Sequence, residues 1–202
     1  TMVSRSCATC HVAVYQAYAH SVHGKALVED GNPDVPGCAD CHAHHQIEQP
    51  GTKRFRLNSP EICIRCHGDA RRMSKYGIST TVVQTYLSDF HGVTASLGRG
   101  ASSAASQVVV TCIDCHGAHD MASPRLKGKE AMKATVAAAC AKCHQGASPD
   151  FPAAWLSHYE PSLRHAPLVF LVDLFYKIFI PFVVIGLVLQ VLLHLYRASA
   201  GR

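Results

Sequence analysis

Every cysteine in this sequence belongs to a C-x-x-C-H motif. There are five, Cys7–His11, Cys38–His42, Cys63–His67, Cys112–His116 and Cys140–His144, and together they use all ten cysteines of the 202 residues. Two thiols set three apart on one tight turn can add to the two vinyl groups along one edge of a porphyrin. The histidine that follows can then offer its imidazole to the iron as the proximal ligand. The spacing therefore predicts five covalent haems. The attachment cysteines are Cys7, Cys10, Cys38, Cys41, Cys63, Cys66, Cys112, Cys115, Cys140 and Cys143, and the proximal ligands are His11, His42, His67, His116 and His144. Zinc sites would need closed sets of four ligands, and a redox dithiol has no use for the trailing histidine.

Nine further histidines lie outside the motifs: His20, His23, His44, His45, His91, His119, His158, His165 and His194. Five irons can use at most five of them on the distal face. An internal repeat ranks them. His23-Gly24, the motif at Cys38, Ser59-Pro60 and the motif at Cys63 recur as His91-Gly92, the motif at Cys112, Ser123-Pro124 and the motif at Cys140. In this alignment His23 matches His91, and His45 matches His119, each three residues after a proximal histidine. A residue that close cannot reach the far face of its own macrocycle, so His45 and His119 are expected to serve neighbouring haems. The fifth distal ligand is expected to be His158, with His20 and His165 as alternatives. His44 has no counterpart, since Ala118 holds its place, and is expected to be solvated or propionate-facing. Of the four methionines, Met121 aligns with Ile47, so histidine on both faces is the expected coordination.

Three elements outside the motifs read as helices: Val12–Val22, Thr80–Phe90 and Glu130–Lys142. Arg99–Ser106 reads as a Gly/Ala/Ser loop, and no period-two strand pattern appears. The repeat predicts a stack in which each haem pair touches its neighbours. With about 33 residues per haem, the macrocycles are expected to supply much of the apolar core that so short a chain lacks. Residues 178–195 carry no formal charge, long enough with the apolar turns before them to span a bilayer as a helix. Asp173 and Lys177 are expected to pair at i, i+4 near the headgroups. Pro181 and Gly186 offer a kink or an approach for a second helix, and His194 is expected to be an interfacial or packing residue.

The formal net charge of +5 is expected to be offset by about ten propionate charges on five haems, so it does not argue for a nucleic-acid partner. Covalent haem attachment takes place outside the cytoplasm, which fits the cysteine usage. The sequence opens without a charged, apolar leader, so one is expected to have been removed or to lie outside it. Arg197 and Arg202 behind the apolar run favour a cytoplasmic end there.

Ser21-Val-His-Gly24, Phe90-His-Gly92 and the two C-x-D-C-H-x-x-H stretches resemble the membrane-associated multihaem cytochromes c of bacterial respiratory chains, over most of residues 7–160. That resemblance implies that His23, His91, His45 and His119 are distal ligands. In function it is similar to the quinol-oxidising NapC/NrfH group, whose anchor is N-terminal where this one is C-terminal. The expected fold class is mainly α with extensive loops: a multihaem cytochrome c with a doubled haem-pair repeat and one C-terminal transmembrane helix. The expected domains are a periplasmic pentahaem domain at 1–165, a transmembrane helix at 166–197 and a cytoplasmic tail at 198–202. Within the first, the first haem takes 7–30, the first pair 31–75 and the second pair 90–146. The expected function is a non-catalytic relay of electrons, anchored in the bacterial inner membrane. Its expected partners are quinol or a b-type or other integral membrane subunit on one side and a periplasmic redox protein on the other. The alternative is a nitrite- or hydroxylamine-converting enzyme with one open haem site.

Overall fold

A computed structural model of the chain describes residues 2–100, 109–123, 128–154, 158–164 and 166–201. The described residues are mostly helical, and no strand occurs among them. It divides into two units, one ending at His158 and one starting at Tyr159.

The first unit repeats a four-part arrangement. In the first copy a helix pair, α2 (Val12–Ala19) and α3 (Val22–Val28), leads to a one-turn helix on the second haem motif, α4 (Cys38–His42). A longer helix, α5 (Lys53–His67), then ends on the third motif. In the second copy α7 (Thr81–Ser88) and α8 (Phe90–Gly100) lead to α9 (Cys112–His116), and α10 (Lys129–Ala141) runs into the fifth motif. Three short helices complete the unit: α1 (Met2–Ala8) in front, α6 (Ala70–Ser74) between the copies and α11 (Phe151–Ala154) behind.

Local chemistry sets the element ends. The stretch expected as one helix over Val12–Val22 breaks at His20–Ser21. Ser21 adopts an extended backbone, and its hydroxyl caps α3 by accepting the Gly24 N–H at 3.0 Å. The helix expected over Thr80–Phe90 likewise stops at Ser88, and Asp89 accepts the Gly92 N–H at 2.8 Å. Arg99 and Gly100, expected in a loop, close α8, and residues 101–106 lie outside the described residues. Helix α5 continues through Pro60, which cannot donate to the Arg56 carbonyl. The Ser59 hydroxyl does so instead, at 2.8 Å.

The two copies are fastened to each other at several points. Arg56 on α5 pairs with Asp114 on α9 at 2.9 Å, and Arg99 on α8 pairs with Glu61 on α5. The Val22 N–H donates to the Met121 carbonyl at 2.8 Å, drawing the loop after the fourth motif back onto the first copy. The apolar core is thin for a unit of this length. Among the described residues the buried apolar side chains are Tyr18, Leu27, Leu57, Pro60, Met73 and Ala95.

The second unit is dominated by α12 (Pro167–Ala200), 34 residues with a mean hydropathy of 2.6 over its most apolar window and none of that window buried. By length and composition it can cross a membrane. Asp173 and Lys177 pair at 2.7 Å, as the spacing predicts. The helix continues through Ala200, so residues 198–200 of the expected tail are helical.

Candidate functional site

Each helix pair presents one histidine, and a glycine lets it do so. His23 and Gly24 sit on the first turn of α3, where the chain crosses close over the end of α2. A Cβ built on Gly24 collides with the Tyr18 carbonyl, and one built on Gly92 collides with the Tyr86 carbonyl in the second copy. Only glycine allows that approach, which explains why histidine is followed by glycine in both copies. The same two tyrosines hold the approach to the haem motif. The Tyr18 hydroxyl donates to the Pro36 carbonyl at 2.7 Å and the Tyr86 hydroxyl to the Val110 carbonyl at 3.1 Å, each two residues before the motif's first cysteine. Burial pushes the Tyr18 phenol up to about 12 and raises that of Tyr86 as well. The sequence reading missed both tyrosines, although their equal spacing from His23 and His91 was visible in the repeat.

The second and fourth motifs are built alike. In each an aspartate folds back on the start of its turn. Asp40 Oδ2 accepts the Gly37 N–H at 2.7 Å, and Asp114 Oδ2 accepts the Thr111 N–H at 2.7 Å and its hydroxyl at 3.0 Å. No two of the ten cysteines are joined in a disulfide. The motifs follow one another in space as they do in sequence. His11 lies near enough to lower His42, Cys63 to raise Cys41, and Cys140 and Cys143 to raise Cys115. Cys63 and Cys112 share a hydrogen bond that raises the first thiol and lowers the second.

Four of the five motif histidines face a second imidazole. Ring centroids are 6.2 Å apart for His67 and His23, 5.9 Å for His42 and His119, 6.4 Å for His144 and His91, and 6.0 Å for His116 and His158. A metal–imidazole bond is about 2 Å long, and the ring centroid lies about 1 Å behind the ligating nitrogen, so an iron between two imidazoles holds their centroids about 6 Å apart. The residues fit the group. Imidazole ligates as the neutral ring, and the surroundings favour that form. Desolvation, aided by the neighbouring His67, takes His23 down to about 4. Desolvation also lowers His42, His67, His116 and His158.

His119 therefore lies opposite the histidine of another motif, 74 residues upstream of its own. His158 lies opposite His116 and holds a left-handed backbone, φ 63°. His11 faces no imidazole among the described residues. His45 stacks edge-on against His44 at 4.8 Å. His20 turns its Nδ1 to the Gln16 carbonyl at 2.7 Å, and His194 lies on α12. His165 lies outside the described residues.

A family described as the doubled CXXCH motif matches residues 28–72 and again residues 106–149. The doubled motif indicates a multihaem c-type cytochrome. The two matched stretches are the second-plus-third and fourth-plus-fifth motifs, and the motif at Cys7 lies outside both. No curated protein and no solved structure matches the chain. The paired motifs indicate covalent binding of haem c, a group that would supply one-electron transfer when bound.

Proposed function

We propose that this cytochrome is an electron-transfer subunit that carries five haems and relays electrons between the membrane and a periplasmic redox protein. The observation that carries the reading is the set of four imidazole pairs 5.9–6.4 Å apart. An iron closed on both faces has no position for a substrate, which suits transfer rather than catalysis. His23 would hold the third haem, His91 the fifth, His119 the second and His158 the fourth. His45 completes the set by the logic of the repeat. His119 follows the fourth motif and faces the second, the preceding first-of-pair motif. His45 follows the second and would serve the one before it, at His11, which lies close enough to bear on His42.

The domain from residue 1 to 165 is read as periplasmic, α12 as a single inner-membrane anchor, and the basic end with Arg197 and Arg202 as cytoplasmic. The membrane-side donor is quinol or an integral subunit, of the kind served by the NapC/NrfH group. A lone helix encloses little, so a quinol pocket would need a partner's help.

Spectroscopy on the purified chain tests the reading. Pyridine haemochrome should count five haems per chain, and the resting spectrum should be low-spin. One observation favours a second reading: the open surroundings of His11 would suit an enzyme with a single substrate-binding haem. A high-spin fraction of about one haem in five, bleached or shifted by nitrite or hydroxylamine, would overturn the relay in its favour.

A further inference from the structure

The residue before the second cysteine differs from motif to motif in a regular way: Thr9, Asp40, Arg65, Asp114, Lys142. After the first motif its charge alternates, acidic in the first member of each pair and basic in the second. We propose that this position sets the haem potentials, so that the second and fourth haems are the low-potential members of their pairs and the third and fifth the high-potential members. The inference rests on the reading of the motifs as haem sites.

Reduction adds one electron at the iron and lowers the charge of the site by one. A fixed anion beside the haem therefore stabilises the oxidised form and lowers the potential, and a fixed cation raises it. The structure holds three of these four charges in place. Asp40 and Asp114 are tied to the first backbone N–H of their own turns, both at 2.7 Å, so neither carboxylate can swing away from its motif. Arg65 Nη2 donates to the Asp40 carbonyl at 2.7 Å, and Arg72 Nη1 donates to Cys66 Sγ at 2.9 Å. The third motif thus holds Arg72 at its second cysteine, while the Arg65 guanidinium reaches the backbone of the second motif. Asp114 is partly offset by Arg56 at 2.9 Å. Lys142 follows α10 directly and faces solvent. Because the motifs follow one another in space in chain order, neighbouring haems alternate low and high, and the first electrons to arrive rest on the third and fifth.

A spectroelectrochemical titration of the full haem-loaded chain and four variants tests this. Asp40→Asn and Asp114→Asn keep an oxygen to accept the backbone N–H and remove the charge, which at Asp114 also breaks the ion pair with Arg56. Each should shift the low-potential part of the curve upward, a several-fold change in one haem's reduction equilibrium. Arg65→Gln and Lys142→Gln should shift the high-potential part downward by a similar factor. Should Arg65→Gln lose haem, Arg72→Gln reads the same sign at the same motif. Curves that superimpose on the wild type at full haem content, or acid and base variants that move the same way, would overturn the inference and leave the relay standing. A wild-type chain without covalent haem overturns both.

Discussion

The two copies of the haem-pair repeat share one design and end in different surroundings. Both cross a helix pair at a glycine, Gly24 or Gly92, and both hang the next motif from a tyrosine, Tyr18 or Tyr86. Both point the histidine before that glycine at the second motif of the pair, at 6.2 and 6.4 Å. They part at the third residue after the first proximal histidine. His119, in the second copy, lies across from His42 of the first, because the Val22–Met121 backbone bond pulls its loop back. His45, in the first copy, has no complete copy before it and rests against His44. Matching positions of the repeat thus give one long-range contact and one local one. What a repeat unit can reach depends on its neighbour, and the leading copy of a stack differs from the rest for that reason.

The sharpest way to break the likeness is at the crossings. Gly24→Ala and Gly92→Ala each force a methyl group into a backbone carbonyl that cannot yield without separating the helices, at a cost of about 3 kcal/mol or more. Both variants should lose haem from their own pair first. Haem content and thermal melting of the two proteins measure this, and a Gly92→Ala protein with native melting and five haems would show that the two crossings are not equivalent.

A histidine exchange tests the difference between the copies. His119→Ala should convert one haem to high-spin, or release it, while His44→Ala leaves the spectrum unchanged. Electron paramagnetic resonance of the resting proteins reads the count. A larger change in the His44 variant would mean that the two copies are aligned wrongly.

The residue after the first proximal histidine offers a finer contrast. Ala43 and Gly117 occupy matching positions with nearly the same backbone, φ 59° and ψ 177° against φ 77° and ψ 174°. That region is open to glycine and costs other residues roughly 1–3 kcal/mol. Replacing Ala43 with Gly should therefore stabilise the first copy by about 1 kcal/mol, after the entropy that glycine adds to the unfolded chain. Gly117→Ala should destabilise the second by a similar amount. Chemical denaturation of the two variants should give opposite signs.

Much of this site was legible in the sequence, because covalent attachment demands fixed spacing. The five motifs, the His-Gly pairs and the apolar run from residue 178 all stood out. The break at His20–Ser21 did not, since the apolar pattern runs on unchanged and only the Ser21 hydroxyl decides it. Helix α5 was hidden by Pro60, whose lost bond is made good by Ser59 in a way that periodicity cannot reveal. The partner of His119 was invisible because it depends on Val22 and Met121, about a hundred residues apart in the chain.

The smallest expected effect separates the tyrosines. Tyr18→Phe and Tyr86→Phe each remove one hydroxyl and leave a partly buried carbonyl, of Pro36 or Val110, without its donor. Such a loss costs about 1 kcal/mol. The Tyr18 bond is shorter, 2.7 against 3.1 Å, and it anchors the copy that has no preceding pair to lean on. The second copy has an additional hold on the same segment, since Arg56 reaches the Val109 carbonyl at 3.4 Å and Asp114 at 2.9 Å. Tyr18→Phe should therefore be the more costly of the two by a few tenths of a kcal/mol, and the double variant should be additive, because the two sites share no partner. Denaturation of the three variants measures it. Equal costs would mean that the Arg56 contacts do not support the Val110 segment, and a double variant far from additive would mean that the copies fold as one cooperative body through the Cys63–Cys112 junction.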